Sequence, residues 1–132
     1  MLAGLVVTLA LAAAEGASAC SCVQIDPETK LKQSDGAVVA RLLRVKPLEQ
    51  SYSAAFVYRT GRVVKGKPRL RRGRRLVIRS PLSSAACGLS DRVGRLTGLF
   101  LYREGGRWAS NSCNEVAPRV MRSLDGAAAA CS

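Results

Sequence analysis

Two cysteines one residue apart, Cys20 and Cys22, constrain the fold of this chain more than any other feature. A disulfide between them would be strained, so each is expected to bond to a cysteine far along the chain. Any four of the five cysteines allow three pairings, and parity does not choose among them; the fifth is left over or joins two chains. A bridge across such a long loop stabilises a small domain by roughly 4 kcal/mol in the chain-entropy model. The other three cysteines are Cys87, Cys113 and Cys131.

Residues 1–19 have the character of a secretory signal peptide. They carry one charge, Glu15, in an otherwise apolar run, and they end in ASA, a small-x-small pattern after which signal peptidase cuts. The run is too short to span a bilayer as a stable helix, and no second run of membrane length follows. We therefore predict a single domain at residues 20–132 of a protein that is secreted and extracellular, or periplasmic if its source is bacterial.

The residues before Cys20 also form a weak lipobox, the signal for attaching a lipid to a cysteine. Position 17 holds Ala17 where a leucine is typical, so a lipid anchor at Cys20 is disfavoured. Lipidation would acylate the α-amine of Cys20. A lipid-anchored protein and a protein that presents this amine to a partner therefore exclude each other.

The charge of the chain favours acidic partners. The predicted domain holds all 21 Lys and Arg residues against eight acidic ones, which gives a formal net charge of +13. Ten of the basic residues fall within residues 59–79, and a solvated face and loop is the favoured interpretation. The alternative is a site for anionic glycans or other envelope polyanions, and its candidates are Lys65, Lys67, Arg69, Arg71, Arg72, Arg74 and Arg75. Nucleic acid is not expected, because the protein is predicted to be exported and its strands lack aromatic stacking platforms.

The sequence contains no histidine, and this excludes the simplest kinds of active site. Histidine is the commonest general base and metal ligand, and it is the partner of serine and cysteine nucleophiles. The chain also lacks a Cys-x-x-Cys motif, so neither a zinc knuckle nor a thioredoxin-type redox site is indicated. We therefore expect no enzyme activity and no cofactor of the protein's own.

Apolar and β-branched runs predict five strands, which polar, glycine-rich and proline-containing segments separate. The strands are predicted at residues 37–45, 54–64, 74–80, 96–103 and 107–113, and the second is expected to bend at Gly61. A helix is predicted at residues 27–34 with Asp26 as its N-cap, and a second from residue 114 through residues 119–124. This pattern predicts a mostly β, five-stranded barrel of the oligonucleotide/oligosaccharide-binding type, with short flanking helices and disulfide staples. Trp108 is expected to pack in its core.

Several motifs together resemble a known family. Cys-x-Cys at a mature N-terminus is followed by a short helix, the strand AVVARLLRV, the loop SSAACG, a hairpin, and SCN ahead of a proline. Over residues 20–118 this order is similar to the inhibitory N-terminal domain of the tissue inhibitors of metalloproteinases, within the netrin-like fold group. The resemblance implies a five-stranded barrel and the disulfides Cys20–Cys87 and Cys22–Cys113.

The resemblance also implies a mode of action at the N-terminus. Cys20 is expected to chelate the catalytic zinc of a target metalloprotease through its α-amine and carbonyl, and Ser21 to point into the target's primary specificity pocket. The other residues expected to lie along the protease cleft are Cys22, Val23, Ser84, Ala85 and Ala86.

The chain departs from the family in two respects. Residues 23–35 lack the cysteine that forms a third disulfide in the family, so Cys131 is without its expected partner, and no second domain follows. The Arg- and Ala-rich composition suggests a single-domain, bacterial relative. Two functions are expected: a secreted metalloprotease inhibitor, or a netrin-like binding module for anionic glycans that inhibits no protease.

Overall fold

A long first strand that pairs along both of its sides closes the β-structure into a barrel. The computed structural model describes residues 20–49 and 51–130. The barrel strands are β1 (Gly36–Pro47), β2 (Ser53–Lys65), β3 (Arg75–Pro81), β4 (Leu96–Glu104) and β5 (Arg107–Ala109). Strand β1 pairs antiparallel with β2 on one side and with β4 on the other. The strand order is β1-β2-β3-β5-β4 and back to β1, and β3 and β5 form its parallel pair. The predicted mostly β, five-stranded barrel is confirmed.

Two short helices lie outside the barrel and pack on each other and on its wall. Helix α1 (Pro27–Gln33) begins where the Asp26 carboxylate accepts the Thr29 N–H at 3.0 Å, as its predicted N-cap requires. Helix α2 (Pro118–Ala130) follows a two-residue strand, β6 (Glu115–Val116), that pairs with β4. Neither helix has the length and apolar character needed to cross a bilayer. The predicted signal peptide at residues 1–19 and Cys131 lie outside the described residues.

The apolar side chains form two packed groups. The first fills the barrel and is built around Phe56, Tyr58 and Ile78, all buried. The second lies between the barrel wall and the helices, where Phe100 meets Met121 of α2. Trp108 packs against the barrel group while half-buried, so its predicted core role is confirmed.

The second strand continues through Gly61 with a shift in register. Val38 is opposite Val63, whereas Ala40 is opposite Thr60, so β2 contains an extra residue at this point. A Cβ atom on Gly61 would lie 2.7 Å from the carbonyl oxygen of Val39. Only glycine permits this close approach of the two strands at the shift in register.

The predicted fifth strand at residues 107–113 is wrong beyond Ala109. The Ser110 N–H still donates to Arg79 O at 3.0 Å, but the side chain of Asn111 then caps a short helical turn, Ser112–Asn114. The predicted helix from residue 114 is wrong at residues 114–117, because β6 lies there and α2 begins only at Pro118. The end of β5 is set by the local turn that Asn111 caps. The start of α2 follows from the pairing of β6 with β4, which a local pattern of residue types does not contain.

We expect Leu70 to be a principal determinant of stability, although it belongs to the basic loop between β2 and β3. Its side chain is 2% exposed and inserts into the barrel group, so Leu70→Ala should lower the free energy of unfolding by about 2–5 kcal/mol. Val77→Ala is the matched control; Val77 is 51% exposed, and its loss should cost under about 1 kcal/mol. Urea unfolding of both variants measures the difference, and equal costs would contradict the assignment of Leu70 to the core.

Candidate functional site

Two disulfides attach the N-terminal segment to separate parts of the barrel. Cys20 bonds to Cys87 with 5.0 Å between their Cα atoms, and Cys22 bonds to Cys113 with 5.4 Å. This is the pairing that the family resemblance implies. The residues alone argue against a Cys20–Cys22 bond but do not choose among the remaining pairings, because the choice depends on which loops the closed barrel places together.

The two bridges lie against each other. The Cys113 Sγ atom is 3.9 Å from the Cys87 Sγ atom, and the sulfurs of Cys20, Cys22 and Cys113 all lie within 4.8 Å of one another. Three clustered cysteines resemble a metal site, but metals bind cysteine as the thiolate, and each of these sulfurs is already in a disulfide. The cluster therefore serves as a covalent attachment point for the chain.

The loop that carries Cys87 has a defined conformation. Its short helical turn, Ser84–Ala86, is capped by Ser83, whose hydroxyl oxygen accepts the Ala86 N–H at 3.2 Å. Cys87 has a φ of 64° in the left-handed region, which reverses the chain at the end of the turn. A Cβ atom on Gly88 would lie 2.8 Å from Ser83 O, so glycine is needed for the loop to close on itself.

The loop that carries Cys113 is joined to the first one directly. The Ser112 N–H donates to Cys87 O at 2.8 Å. Asn111 organises its own turn, because its Oδ1 atom accepts the Cys113 N–H at 3.0 Å and the Asn114 side-chain amide at 3.1 Å. Both disulfides therefore end on one hydrogen-bonded unit.

Lys30 of α1 completes this unit, and sequence reasoning missed it. Its ammonium group donates to Cys113 O and reaches Asn114 Oδ1 at 3.4 Å. Partial burial lowers the pKa of the Lys30 ammonium. A lysine on a polar helix carries no local signal of such a role, since the contact spans most of the chain.

The exposed side chains around the bridges form one surface, which we call the N-terminal surface: residues 21–23 and 84–86. All six are exposed, and Val23 is 78% exposed despite being apolar. Residues 20–26 form neither helix nor strand, so the bridges fix a stretch of chain whose backbone is outside the sheet. The structure thus brings together the predicted contact residues Ser21, Cys22, Val23, Ser84, Ala85 and Ala86.

A groove of about 520 Å³ begins beside this surface at Ala86 and Asn111. Tyr52, which is 96% exposed, also lines this groove, and its carbonyl oxygen accepts the Leu82 N–H at 2.8 Å. Sequence reasoning did not single out Tyr52. An exposed tyrosine in a polar connection was the available signal, but the position of the groove depends on how the loops fold together.

The predicted polyanion candidates lie at the opposite end of β3 from Cys87. Lys65 differs from the others because it is partly buried. Its ammonium group donates to Leu31 O at 2.8 Å and to Lys32 O at 3.3 Å, at the end of α1. We therefore assign Lys65 a structural role. The exposed candidates are Lys67, Arg69, Arg71, Arg72, Arg74 and Arg75.

No protein-family model matches the chain, and no curated protein matches it significantly.

We expect the bridge from Cys22 to Cys113 to contribute strongly to stability. It closes a separation of 91 residues, and replacing both cysteines by serine should lower the free energy of unfolding by about 4–5 kcal/mol in the chain-entropy model. The matched control is the pair Cys20→Ser/Cys87→Ser, with a separation of 67 residues and a cost within about 0.5 kcal/mol of the first. Urea unfolding without reductant measures both, and a loss below about 1 kcal/mol would contradict the prediction.

We expect Glu115 to make stability depend on pH. Partial burial raises its pKa, while the Ser90 N–H, donated to its carboxylate at 2.8 Å, and nearby Arg95 oppose the shift. The folded protein therefore holds this proton more tightly than the unfolded chain, so stability falls as pH rises above the ordinary value of 4.5. Glu115→Gln keeps an oxygen for Ser90 but cannot ionise. In urea unfolding it should match the parent near pH 4 and exceed it near pH 7; an equal difference at both pH values would contradict this.

Proposed function

We propose that the protein is a secreted metalloprotease inhibitor that presents mature N-terminal Cys20 to the catalytic zinc of its target. One observation carries this proposal: two adjacent disulfides hold residues 20–22 beside the exposed turn Ser84–Ala86. The resemblance to the tissue inhibitors of metalloproteinases rests on the same cysteines. The confirmed barrel and the disulfide pairing agree with it.

The chemistry of zinc supports a role for the N-terminal residue. A zinc protease holds its ion with three protein ligands and keeps the fourth position for water or substrate. Cleavage before Cys20 would produce an α-amine beside the Cys20 carbonyl, and these two groups can displace the water as a bidentate ligand. An α-amine has an ordinary pKa near 7.7–8.0, so binding in its neutral form costs little at neutral pH.

The rigidity of the segment supports tight association. A flexible N-terminus would lose conformational freedom on entering an active site, and this loss weakens binding. Here Cys20 and Cys22 are both bridged, and Ser112 further connects the two bridged loops. Much of the ordering is therefore already present before a target binds.

The side chains of the N-terminal surface suit a substrate-like contact. Ser21 and Val23 are exposed on a stretch of chain outside the sheet, so both can enter pockets of an extended cleft. Ser84, Ala85 and Ala86 are small, which lets the wall of a cleft approach their backbone closely. The protein supplies no metal ligand set of its own in this scheme, because the zinc belongs to the target.

The test compares two proteins that differ by one residue ahead of Cys20. One begins at Cys20, and the other begins with an added alanine that converts the α-amine into an amide. The first should inhibit at least one member of a panel of zinc endopeptidases. The second should be weaker by about 100-fold or more, because losing a metal ligand costs at least as much as losing its supporting contacts.

The controls separate folding from chemistry. Intact mass without and with reductant should show two disulfides within residues 20–130 in both proteins, and their thermal unfolding should coincide. Equal inhibition by both proteins would overturn chelation by the α-amine. An intact protein beginning at Cys20 that inhibits no member of the panel would overturn the inhibitor function itself.

A further inference from the structure

Three arginines stand directly opposite one another on the outer face of the barrel. Arg41 of β1 is the partner of Arg59 of β2, and Arg59 is in turn the partner of Arg75 of β3. All three are exposed. Neighbouring strands lie about 4.8 Å apart, so this arginine row places three positive charges across about 10 Å of sheet.

The arginine row by itself destabilises the folded protein. Like charges directly opposite on adjacent strands destabilise a sheet. Within residues 20–49 and 51–130, the one ion pair joins Arg62 to Asp125, so no carboxylate there is paired with the row. A surface that keeps such repulsion is suited to an anionic partner, which would relieve it.

Hydrogen bonds to the backbone hold two of these side chains without neutralising them. The Arg41 guanidinium donates to Gly94 O at 2.5 Å, and the Arg59 guanidinium donates to Gly73 O at 3.1 Å. Each bond uses one of the five N–H donors of a guanidinium group. The remaining donors can bind the oxygens of sulfate or carboxylate groups, and the orientation of the side chains is already restricted.

Positive charge continues from the row along β3. Arg79 lies four residues beyond Arg75 on the same strand and lines a groove of about 440 Å³ together with Arg103 and Arg107. The Arg103 guanidinium lies 4.8 Å from the centre of the Trp108 ring and donates to Gly106 O at 2.8 Å. The basic surface is therefore longer than a single bound ion.

We propose that Arg41, Arg59 and Arg75 form a binding site for a linear polysaccharide that carries sulfate or carboxylate groups. The regular spacing of the row suits a chain whose charges recur along its length. Arg41 and Arg59 are not among the predicted polyanion candidates, and the strand register alone brings them into line with Arg75.

The aromatic side chains favour a polysaccharide over a nucleic acid. Single-stranded nucleic acids bind by stacking their bases on exposed aromatic rings. Beside this surface, Trp108 has the barrel core on one side and the Arg103 guanidinium over its ring. Phe56 and Tyr58 of β2 are buried, and the exposed Tyr52 lies at the opposite end of β3.

The site is distant from the N-terminal surface. Arg75 begins β3 and Pro81 ends it next to the loop that carries Cys87, so at 3.3–3.4 Å per residue the two ends are about 20 Å apart. A polysaccharide on the row and a protein on the N-terminal surface can therefore be bound together. The proposal does not depend on protease inhibition.

The experiment measures binding of a heparin oligosaccharide to the mature protein at low salt. The row variant Arg41→Gln/Arg59→Gln/Arg75→Gln should bind about 100-fold more weakly, since each arginine near an anionic surface contributes about a fivefold factor. The control variant Lys32→Gln/Arg119→Gln/Arg122→Gln removes the same charge from exposed positions on the helices. It should lose less than about threefold.

Further variants and probes distinguish the alternatives. The variant Arg41→Lys/Arg59→Lys/Arg75→Lys keeps the charge and should retain most of the affinity. Retained binding would also show that substitution at these three positions does not by itself unfold the protein. Equal losses in the row and control variants would overturn the site, because binding would then follow net charge alone. Tighter binding of a single-stranded oligonucleotide, or of vesicles rich in anionic lipid, than of heparin would overturn the choice of a polysaccharide.

Discussion

The two adjacent disulfides are the interaction on which the geometry of the N-terminal surface depends. Residues 20–26 take no part in the sheet, so hydrogen bonding between strands does not hold them. The bridges tie this stretch to loops that follow β3 and β5, and the Ser112 N–H donated to Cys87 O makes those loops one unit. Disulfides and barrel therefore depend on each other, because only the closed barrel brings Cys87 and Cys113 together.

The segment between Cys22 and β1, residues 23–35, contains no cysteine and is held by noncovalent contacts. Helix α1 buries Leu31 in the apolar group beneath the helices, and Lys30 donates to Cys113 O. Lys65 of β2 donates to two carbonyl oxygens in the last turn of the helix, the turn that also contains Lys30. Burial and two lysine contacts thus attach the C-terminal half of α1 to the barrel and to the loop that carries Cys113.

Sequence reasoning located the strands well where their limits are local and poorly where they are not. Proline and glycine residues lie at or near the ends of β1 to β4, and the predicted limits of these strands agree with the observed ones to within about two residues. The start of α2 depends on β6, whose partner β4 is supplied by folding. The end of β5 is set by Asn111, which caps a local turn, and the strand prediction does not take account of this signal. Contacts between distant residues also hid Lys30 and the arginine row: one is a contact across the chain, and the other exists only through strand register. For the candidate site, residue types gave the cysteines, but their pairing came from a resemblance.

The burial of Leu70 has a consequence for resistance to trypsin-like proteases. The loop around it is rich in lysine and arginine, the residues after which trypsin-like enzymes cut. Such enzymes accept an extended peptide, whereas this loop is folded into successive turns. The Leu70 N–H donates to Gly66 O at 3.1 Å, and the Arg74 N–H donates to Arg71 O at 3.2 Å. To stretch this loop into a protease cleft, the protein would have to withdraw Leu70 from the barrel. The most cleavable stretch of sequence is thereby tied to the stability of the whole domain.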